Sequence, residues 1–384
     1  MQFAEYLAPQ EVERLHEASL EILENVGVFV RNERARAVYS GHGCKVDSET
    51  SIVKMPRNVI EEYRKAFVPN FTFRGRDPKF DRTIPLERPV VVTGSSAPDI
   101  IDRRTGKERR ATSSDIADIA FLINELPGYD VFSMFAASHP NFGLRPSDGF
   151  LVDSLAEMVV DFEALAKVAF YTSLGANIGS TSTPLFGGYN GGAEGNAIVA
   201  VVYNLLGILI FRGTYHYNAP LHAKLRVSST RPLLWIIALA NQALHRNAPY
   251  PTLNLPYLGG GAGTDCYYYE MAAYHTCVVT SGGNMLSGHP GMSVVPDSIV
   301  LLDHLLNIEA AEAASKLTRK EANPVVLKLL EKYENQLKNP PKGLTYQDCY
   351  DPVSGKLINS GYVKHVDEIR EELKNLGLPV MKSG

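Results

Sequence analysis

The chain has 384 residues, of which 45% are hydrophobic, a net charge of −4 and four cysteines. The charge offers no bulk attraction for nucleic acid or an anionic membrane. We find no signal peptide and no apolar run of the ~18 residues that a membrane-spanning helix needs. Four cysteines in a chain of this length do not indicate a disulfide framework, so we expect a reducing cytoplasm.

The N-terminal part is expected to consist of short helices and hairpins. An apolar stripe over residues 9–26 predicts an amphipathic helix. A second short helix is expected before residues 41–43, and a third from Pro56, because proline is favoured in a first helical turn. Residues 71–73 alternate in hydrophobicity like an edge strand.

From residue 89 onwards, short apolar runs alternate with segments of helical periodicity. The predicted strands are 89–93, 130–136, 167–174, 207–215, 251–258 and 284–287. The predicted helices are 112–123, 149–164, 194–206, 231–246 and 265–279. This order predicts parallel strands joined by crossover helices. Six clear strands are two short of the number in a closed eight-fold barrel.

We therefore predict the α/β class, with a (β/α)8 TIM-barrel-like domain that is complete or lacks one β/α unit. The predicted domains are an N-terminal cap over residues 1–85, the barrel over 86–300 and a helical extension over 301–384. Motifs of P-loop proteins, zincins and α/β-hydrolases are absent, and the glycines of 259–263 lack the spacing of a dinucleotide loop.

The loops after barrel strands carry the active sites of such enzymes, and here they are rich in Gly, Asn, His and Tyr. His216 and His222 lie six positions apart with Asn218 between them, so both imidazoles can converge on one substrate or metal. The alternative is that one histidine only bonds a backbone carbonyl at the barrel rim. Asn254 and Tyr257 offer hydrogen bonds and a π face, which suits a cationic methylated nitrogen.

A second candidate region is the Gly-rich loop over residues 184–194. Its two Gly-Gly pairs allow close approach of a ligand or partner, and the following helix start can hold an anionic group. The alternative is a pair of tight turns, with Glu194 acting only as a helix-dipole partner. Further substrate contacts are expected from Tyr189, Asn190, Asp265 and His289. A zinc site formed by His216, His222, His289 and Asp265 or Cys266 is conceivable but not favoured.

Two segments resemble a known family. Residues 184–194 (PLFGGYNGGAE), running on through 215–222 (YHYNAPLH) to 229–231, are similar to the monomethylamine:corrinoid protein methyltransferases. The tail over residues 341–378 resembles the same family. The N-terminal 100 residues look more like the trimethylamine methyltransferase branch.

The resemblance implies a barrel that docks a separate corrinoid protein over its mouth and passes a methyl group from a methylated donor to cobalt(I). The cobalamin would come with that partner, because this chain has no D-x-H-x-x-G segment. The setting implied is anaerobic one-carbon metabolism of the methanogenic kind, and we expect a homo-oligomer. The catalytic residues would be His216, His222, Asn218 and Tyr257. The corrinoid-facing residues would be Gly187, Gly188, Gly191, Gly192, Gly260 and Gly261.

Two departures from the family weaken methylamine as the donor. The methylamine enzymes carry pyrrolysine on a barrel strand, and this sequence contains no such residue. Residues 138–149 form only a short linker where the family has that strand, a helix and a long loop. Thr181, a further candidate for substrate contact, stands where the family has an acidic residue. A methylated or quaternary amine such as glycine betaine, or a methyl ether, is the expected donor.

Two other functions remain open at this point. One is a metal-dependent barrel lyase or hydrolase that uses His216 and His222. The other is a non-catalytic barrel that binds a corrinoid protein or a small methylated ligand.

Overall fold

A computed structural model describes most of the chain. The described residues are 8–65, 70–74, 77–84, 88–93, 99–102, 104–132, 149–154, 158–160, 162–173, 177–248, 250–292 and 297–382. Most of the strand predicted over 130–136 and of the linker predicted over 138–149 lies outside these residues.

The N-terminal part contains three helices, a small sheet and a hairpin. In chain order the elements are α1 (Pro9–Glu21) with a π-helical turn (Ile22–Val26), β1 (Val28–Val30), α2 (Glu33–Gly41), β2 (Lys45–Asp47), β3 (Ile52–Lys54), α3 (Arg57–Arg64), β4 (Phe71–Phe73), a 3-10 turn (Pro78–Phe80) and β5 (Arg82–Ile84). The helices and the edge strand predicted here are confirmed. β3 pairs antiparallel with both β1 and β2, and β4 pairs antiparallel with β5.

The middle of the chain alternates strands with helices. In chain order these are β6 (Val90–Thr93), β7 (Asp99–Ile101), β8 (Glu108–Arg110), α4 (Ser113–Glu125), β9 (Gly149–Ser154), β10 (Val159–Val160), α5 (Phe162–Ser173), β11 (Asn177–Ser182), β12 (Leu185–Phe186), α6 (Ala193–Phe211), β13 (Tyr215–Asn218), β14 (Leu221–His222), α7 (Arg231–Asn247), β15 (Thr252–Asn254), α8 (Asp265–Thr280) and β16 (Met285–Gly288). β10 joins the N-terminal sheet by pairing parallel with β1.

Six of these strands form one parallel sheet in the order β9, β11, β13, β15, β16 and β6. Among these six strands, those that pair in the sheet also follow one another in the chain. The exception is that the first of the six, β6, pairs with the last, β16. On its other edge, β6 makes a parallel bridge from Val92 to Val131. Pairing between the first and last strands is how a sheet closes into a barrel. The predicted TIM-barrel-like fold is therefore confirmed.

Several predicted elements in this region were wrong. Residues 149–154 are a strand and not a helix, whereas residues 167–173 belong to α5 and not to a strand. Residues 207–211 form the end of α6. The strand that was expected over 207–215 begins only at Tyr215, as β13. β11 was missed altogether. Short apolar runs fit a buried strand and a buried helix equally well, and tertiary packing decides between them.

Contrary to the expectation from the sequence, α6 is long and apolar enough to cross a membrane by length and composition, and no other helix among the described residues is. However, 61% of its apolar stretch is buried inside the protein. It packs against α1, α7, β11 and β13. We therefore interpret it as a core helix of the barrel wall.

The barrel interior holds a compact apolar cluster. It contains Val90, Val92, Tyr215, Tyr217, Leu253 and Met285 from the strands, and Ile84, Phe71 and Phe73 from the β4–β5 hairpin. The rings of Phe73 and Tyr215 lie 6.3 Å apart, and Tyr215 begins β13. The hairpin therefore closes the N-terminal end of the barrel, which leaves the opposite end for a site.

The remaining helices follow the barrel and pack on its outside. They are α9 (Leu301–Ala314), α10 (Arg319–Tyr333), a 3-10 turn (Glu334–Gln336), α11 (Tyr346–Cys349) and α12 (Ser360–Leu376). Together with α8 they form the largest apolar core of the protein.

Candidate active site

Side chains alternate between the two faces of each barrel strand, and this alternation separates the predicted site residues. Tyr217, Leu253, Met285 and Val90 are successive partners in the sheet, and all four pack in the barrel interior. Their neighbours along each strand therefore point away from the interior, towards the surrounding helices. His216, Asn218 and Asn254 all have this outward orientation.

His216 is fully buried between the sheet and α6. Its Nδ1 and Nε2 atoms each lie 2.7 Å from a serine hydroxyl, those of Ser180 and Ser182 on β11. Burial lowers the pKa of His216 to about 3, so the imidazole is neutral. Each serine can complement one nitrogen of a neutral ring, one as acceptor and one as donor.

Gly207 of α6 has no side chain and so leaves room for the contact between His216 and Ser180. A Cβ atom there would lie 2.9 Å from His216 Nδ1 and would also meet the Ser180 side chain. We expect Gly207→Ala to lower the free energy of unfolding, because overpacking costs about 1–3 kcal/mol. That cost exceeds the ~1 kcal/mol by which alanine is the better helix former. Urea unfolding measures the difference.

Gly41→Ala is the matched control, since a Cβ at this position of α2 meets nothing within 4 Å. It should leave the protein as stable or slightly more stable. Equal stabilities for the two alanine variants would show that Gly207 does not set the spacing between α6 and His216.

The two asparagines lie on the same outward face. Asn254 Nδ2 lies 3.3 Å from the backbone oxygen of Thr252 and 3.4 Å from that of Met285. The amide of Asn218 is buried, and among the described residues it has no hydrogen-bond partner. Neither side chain reaches the barrel interior.

His222 occupies a different place from His216. It lies on β14, which pairs with β12 in a separate two-stranded sheet beyond the barrel strands. Its Nδ1 accepts hydrogen bonds from the backbone N–H groups of Lys224 and Leu225, at 3.2 and 3.3 Å. Its ring meets that of Phe186 edge-on. The structure therefore does not bring the two histidines together on one ligand.

A different set of polar groups faces the interior at the C-terminal end of the strands. Thr181 is the sheet partner of Tyr217, and Ser287 is the partner of Val92. His289 directly follows β16, and its ring lies 5.7 Å from that of Tyr257. Ser287 Oγ and His289 Nδ1 are buried, and neither has a hydrogen-bond partner within the described residues. Buried polar atoms normally have partners, so these two point to a ligand.

The electrostatic character of this set is neutral. The pKa of His289 is lowered to about 3, mainly by burial and to a smaller extent by the neighbouring His304 and His275. Burial raises the pKa of Tyr257 above its ordinary value. No carboxylate is among the inner-face residues described here. The barrel mouth, defined by Thr181, Tyr217, Tyr257, Ser287 and His289, thus offers neutral hydrogen-bonding groups and aromatic faces.

The Gly-rich loop after β12 is open to solvent. Gly187, Gly191 and Gly192 are exposed, and a Cβ at any of them would meet nothing within 4 Å. Gly188 is exposed too, although a Cβ there would contact the Leu185 side chain. The other predicted residues of this loop are the exposed Tyr189 and Glu194, and Asn190, whose Oδ1 accepts a hydrogen bond from Leu185 N–H at 2.8 Å.

Gly260 and Gly261 differ from the glycines of that open loop. The N–H of Gly260 donates to Glu270 at 2.6 Å, and that of Gly261 donates to the backbone oxygen of Pro341 at 2.8 Å. A Cβ on either residue would collide with neighbouring backbone. They contact the protein itself and are not open to a partner.

The residues of the conceivable zinc site are likewise separated. Asp265 lies 3.0 Å from His365 of α12, and Cys266 donates to Glu270. Within the described part of the chain, no three His, Cys, Asp or Glu side chains are arranged to hold a metal ion.

The C-terminal tail packs against loops at the C-terminal end of the barrel, which the sequence did not predict. It contacts the loops that follow three neighbouring strands, β15, β16 and β6. The contacts are Pro341 with Gly261, Leu344 with Ala262, Tyr346 with Asp297 and Pro352 with Gly106. The tail therefore helps to order the loops around the site.

Comparisons with known proteins place the chain in a family. The family model described as monomethylamine methyltransferase MtmB matches residues 124–378. The model of trimethylamine methyltransferase (MTTB) matches residues 1–137. Monomethylamine methyltransferase MtmB2 of Methanosarcina barkeri is 29% identical over 237 residues, which are 62% of this chain and 52% of that protein. MtmB1 of Methanosarcina acetivorans is 30% identical over the same shares.

The chain thus spans about half the length of the curated relatives it matches. The crystal structure of Methanosarcina barkeri MtmB has a TM-score of 0.73 at 21% identity, covering 96% of this chain and 93% of that one. At this identity the likeness shows the shared fold. The match to the family model covers well over half of the residues, and the chain belongs to the monomethylamine methyltransferase MtmB family.

Proposed function

We propose that the chain transfers a methyl group from a methylated nitrogen donor to the cobalt of a corrinoid that a separate protein carries. Membership of the MtmB family supports the reaction class. The observation that carries the site is the pair of buried, unpartnered polar atoms, Ser287 Oγ and His289 Nδ1, beside Tyr257 at the barrel mouth.

The neutral mouth favours a quaternary ammonium donor. When such a donor loses a methyl group, its leaving group is a neutral tertiary amine that needs no proton. A methyl ether leaves as an alkoxide, and a proton donor must assist it. His289 and Tyr257 are poor proton donors near neutral pH, because burial has moved the pKa of the first far down and of the second up.

Four of the five residues of the mouth have a role in this reaction. The faces of Tyr217 and Tyr257 attract a cationic trimethylammonium group. Ser287 and His289 bond the polar part of the donor and so fix the direction of its methyl group. Burial excludes water, which strengthens these contacts. In-line displacement requires this orientation before the reaction starts.

The corrinoid supplies, when its carrier docks, the cobalt(I) nucleophile that accepts the methyl group. The open loop around Gly187, Gly191 and Gly192 fits this approach, because these residues are exposed and carry no side chain. The carrier would therefore meet the protein at this loop and over the mouth. We propose a cytoplasmic location; the burial of most of the apolar stretch of α6 inside the protein argues against its crossing a membrane.

A donor panel tests the proposal. The chain is mixed with a corrinoid protein reduced to cobalt(I) and with glycine betaine, tetramethylammonium, monomethylamine or an aryl methyl ether. We expect the cobalt(I) absorbance to disappear with a quaternary ammonium donor. No change with any donor would contradict the reaction class, whereas a change only with monomethylamine or the ether would contradict the donor class.

A further inference from the structure

Glu270 is a fully buried carboxylate on α8 that the proposed reaction does not use. It accepts hydrogen bonds from the N–H groups of Gly259 and Gly260, at 3.0 and 2.6 Å. It also accepts a short hydrogen bond from the hydroxyl of Ser229, and one from the thiol of Cys266 at 3.6 Å. The two backbone N–H groups can only donate, so both carboxylate oxygens act as acceptors here, while burial raises the pKa of Glu270.

Three of these donors belong to two different loops, whereas Cys266 lies on α8 itself. Gly259 and Gly260 follow Tyr257 in the loop after β15. Ser229 lies in the loop between β14 and α7. Glu270 therefore joins two loops that are more than 25 residues apart in the chain, and the nearer of its two glycine partners follows Tyr257 by two residues.

The residue before Ser229 holds Tyr257 directly. Ser228 N–H donates to the backbone oxygen of Tyr257 at 2.7 Å, and Tyr257 N–H donates to Ser228 Oγ at 3.2 Å. Ser228 Oγ in turn donates to the Pro220 oxygen at 2.8 Å. Ser228 thus holds the backbone of Tyr257 itself, and Glu270 holds the backbone of Gly259, two residues further along the chain.

We infer that Glu270 is a positioning residue: by joining the Ser229 and Gly259–Gly260 loops it holds the Tyr257 ring against His289 in the donor site. The expected effect on catalysis rests on the proposed function. The expected effect on the position of the Tyr257 ring rests on the hydrogen bonds alone. Loss of the carboxylate would release the loop after β15 and let the Tyr257 ring move relative to His289.

Glu270→Gln is the sharpest variant, because it keeps the size of the side chain and replaces one acceptor oxygen by an N–H2 group. That group would face the N–H or O–H donors that now bond the carboxylate. A displacement of about 1 Å at a reacting site can cost 10²-fold in rate, so we expect kcat for methyl transfer to fall by up to about 100-fold. Ser229→Ala removes one donor and should produce a smaller change in the same direction.

Glu309→Gln is the matched control. Glu309 is an equally buried carboxylate that bonds Arg370 of α12, away from the mouth. It should lower the melting temperature without lowering kcat. A merely structural role for Glu270 would make the two variants alike in kcat once each is assayed well below its melting temperature.

Histidine labelled at Cε1 with ¹³C gives a second readout that needs no activity. The His289 resonance is assigned from its absence in His289→Asn. We expect Glu270→Gln and Ser229→Ala to shift it through the changed position of the Tyr257 ring, and Glu309→Gln to leave it in place. An unshifted resonance in folded Glu270→Gln would overturn the inference, even if no donor supports methyl transfer in the wild type.

Discussion

Replacing His289 by alanine should lower kcat for methyl transfer about 100-fold, the cost typical of removing one preorganised hydrogen-bond group from a reacting site. His289 Nδ1 is buried and unpartnered within the described residues, and the ring lies beside Tyr257. The loss should appear in kcat more than in protein stability, because no hydrogen bond of that nitrogen in the described structure is broken.

His289→Asn is the control for this prediction, because the asparagine amide reaches the position of Nδ1 and should restore part of the rate. The wild-type rate should not depend on His289 protonation between about pH 5 and 8, because burial holds its pKa near 3. An alanine variant with full kcat, or a rate that follows an imidazole titration assigned to His289, would remove this residue from the site.

Replacing Arg370 by alanine should destabilise the protein by about 3–5 kcal/mol, the range for removing one partner of a buried ion pair. The Arg370 and Glu309 side chains are only 6% and 1% exposed. Two hydrogen bonds of 2.7 and 3.1 Å join them and connect α12 to α9. Without Arg370 the Glu309 carboxylate stays buried and loses its guanidinium partner. Denaturant unfolding measures the loss.

Arg231→Ala is the comparison for that variant. Arg231 pairs with Glu334 at 3.0 Å, but the two side chains are 49% and 34% exposed. Exposed ion pairs contribute about 0–1 kcal/mol, so this change should be nearly neutral. If both alanine variants lose the same small amount of stability, the α9–α12 ion pair does not hold the tail in place.

The barrel could be predicted because its signal repeats along the chain. The apolar run of β6 and the long helices α7 and α8 were placed to within a few residues, since their hydrophobic patterns are strong and bounded by glycine and proline. The alternation of strands and helices then implied parallel pairing. These features depend on local sequence, and tertiary contacts did not override them.

β11 could not be found in the same way. Its sequence, NIGSTS, contains a single large apolar residue, Ile178. Ser180 and Ser182 bond the ring of His216, whereas β6 and β16 place the aliphatic Val91 and Leu286 against helices. A strand that is stabilised by a buried polar contact has no hydrophobic alternation to reveal it.

The site residues were identified by type, but their orientation depended on the strand limits. We expected a strand over 207–215, which would leave His216 in the following loop. β13 is Tyr215–Asn218, so His216 lies inside the strand and points to α6. A change of one residue in a strand reverses the face that each side chain occupies. Side chains alternate along β16, so the interior position of Met285 identifies Ser287, two residues later, as an interior residue too.

A crystal structure of the protein with bound glycine betaine tests the central claim most directly. Our account predicts the trimethylammonium group against the ring of Tyr257, inside the barrel at the C-terminal ends of the strands. The ligand carboxylate should lie within hydrogen-bond distance of Ser287 Oγ or His289. Ligand density between β13 and α6, beside His216, would contradict the account, and so would an interior that stays empty of ligand at saturating concentration.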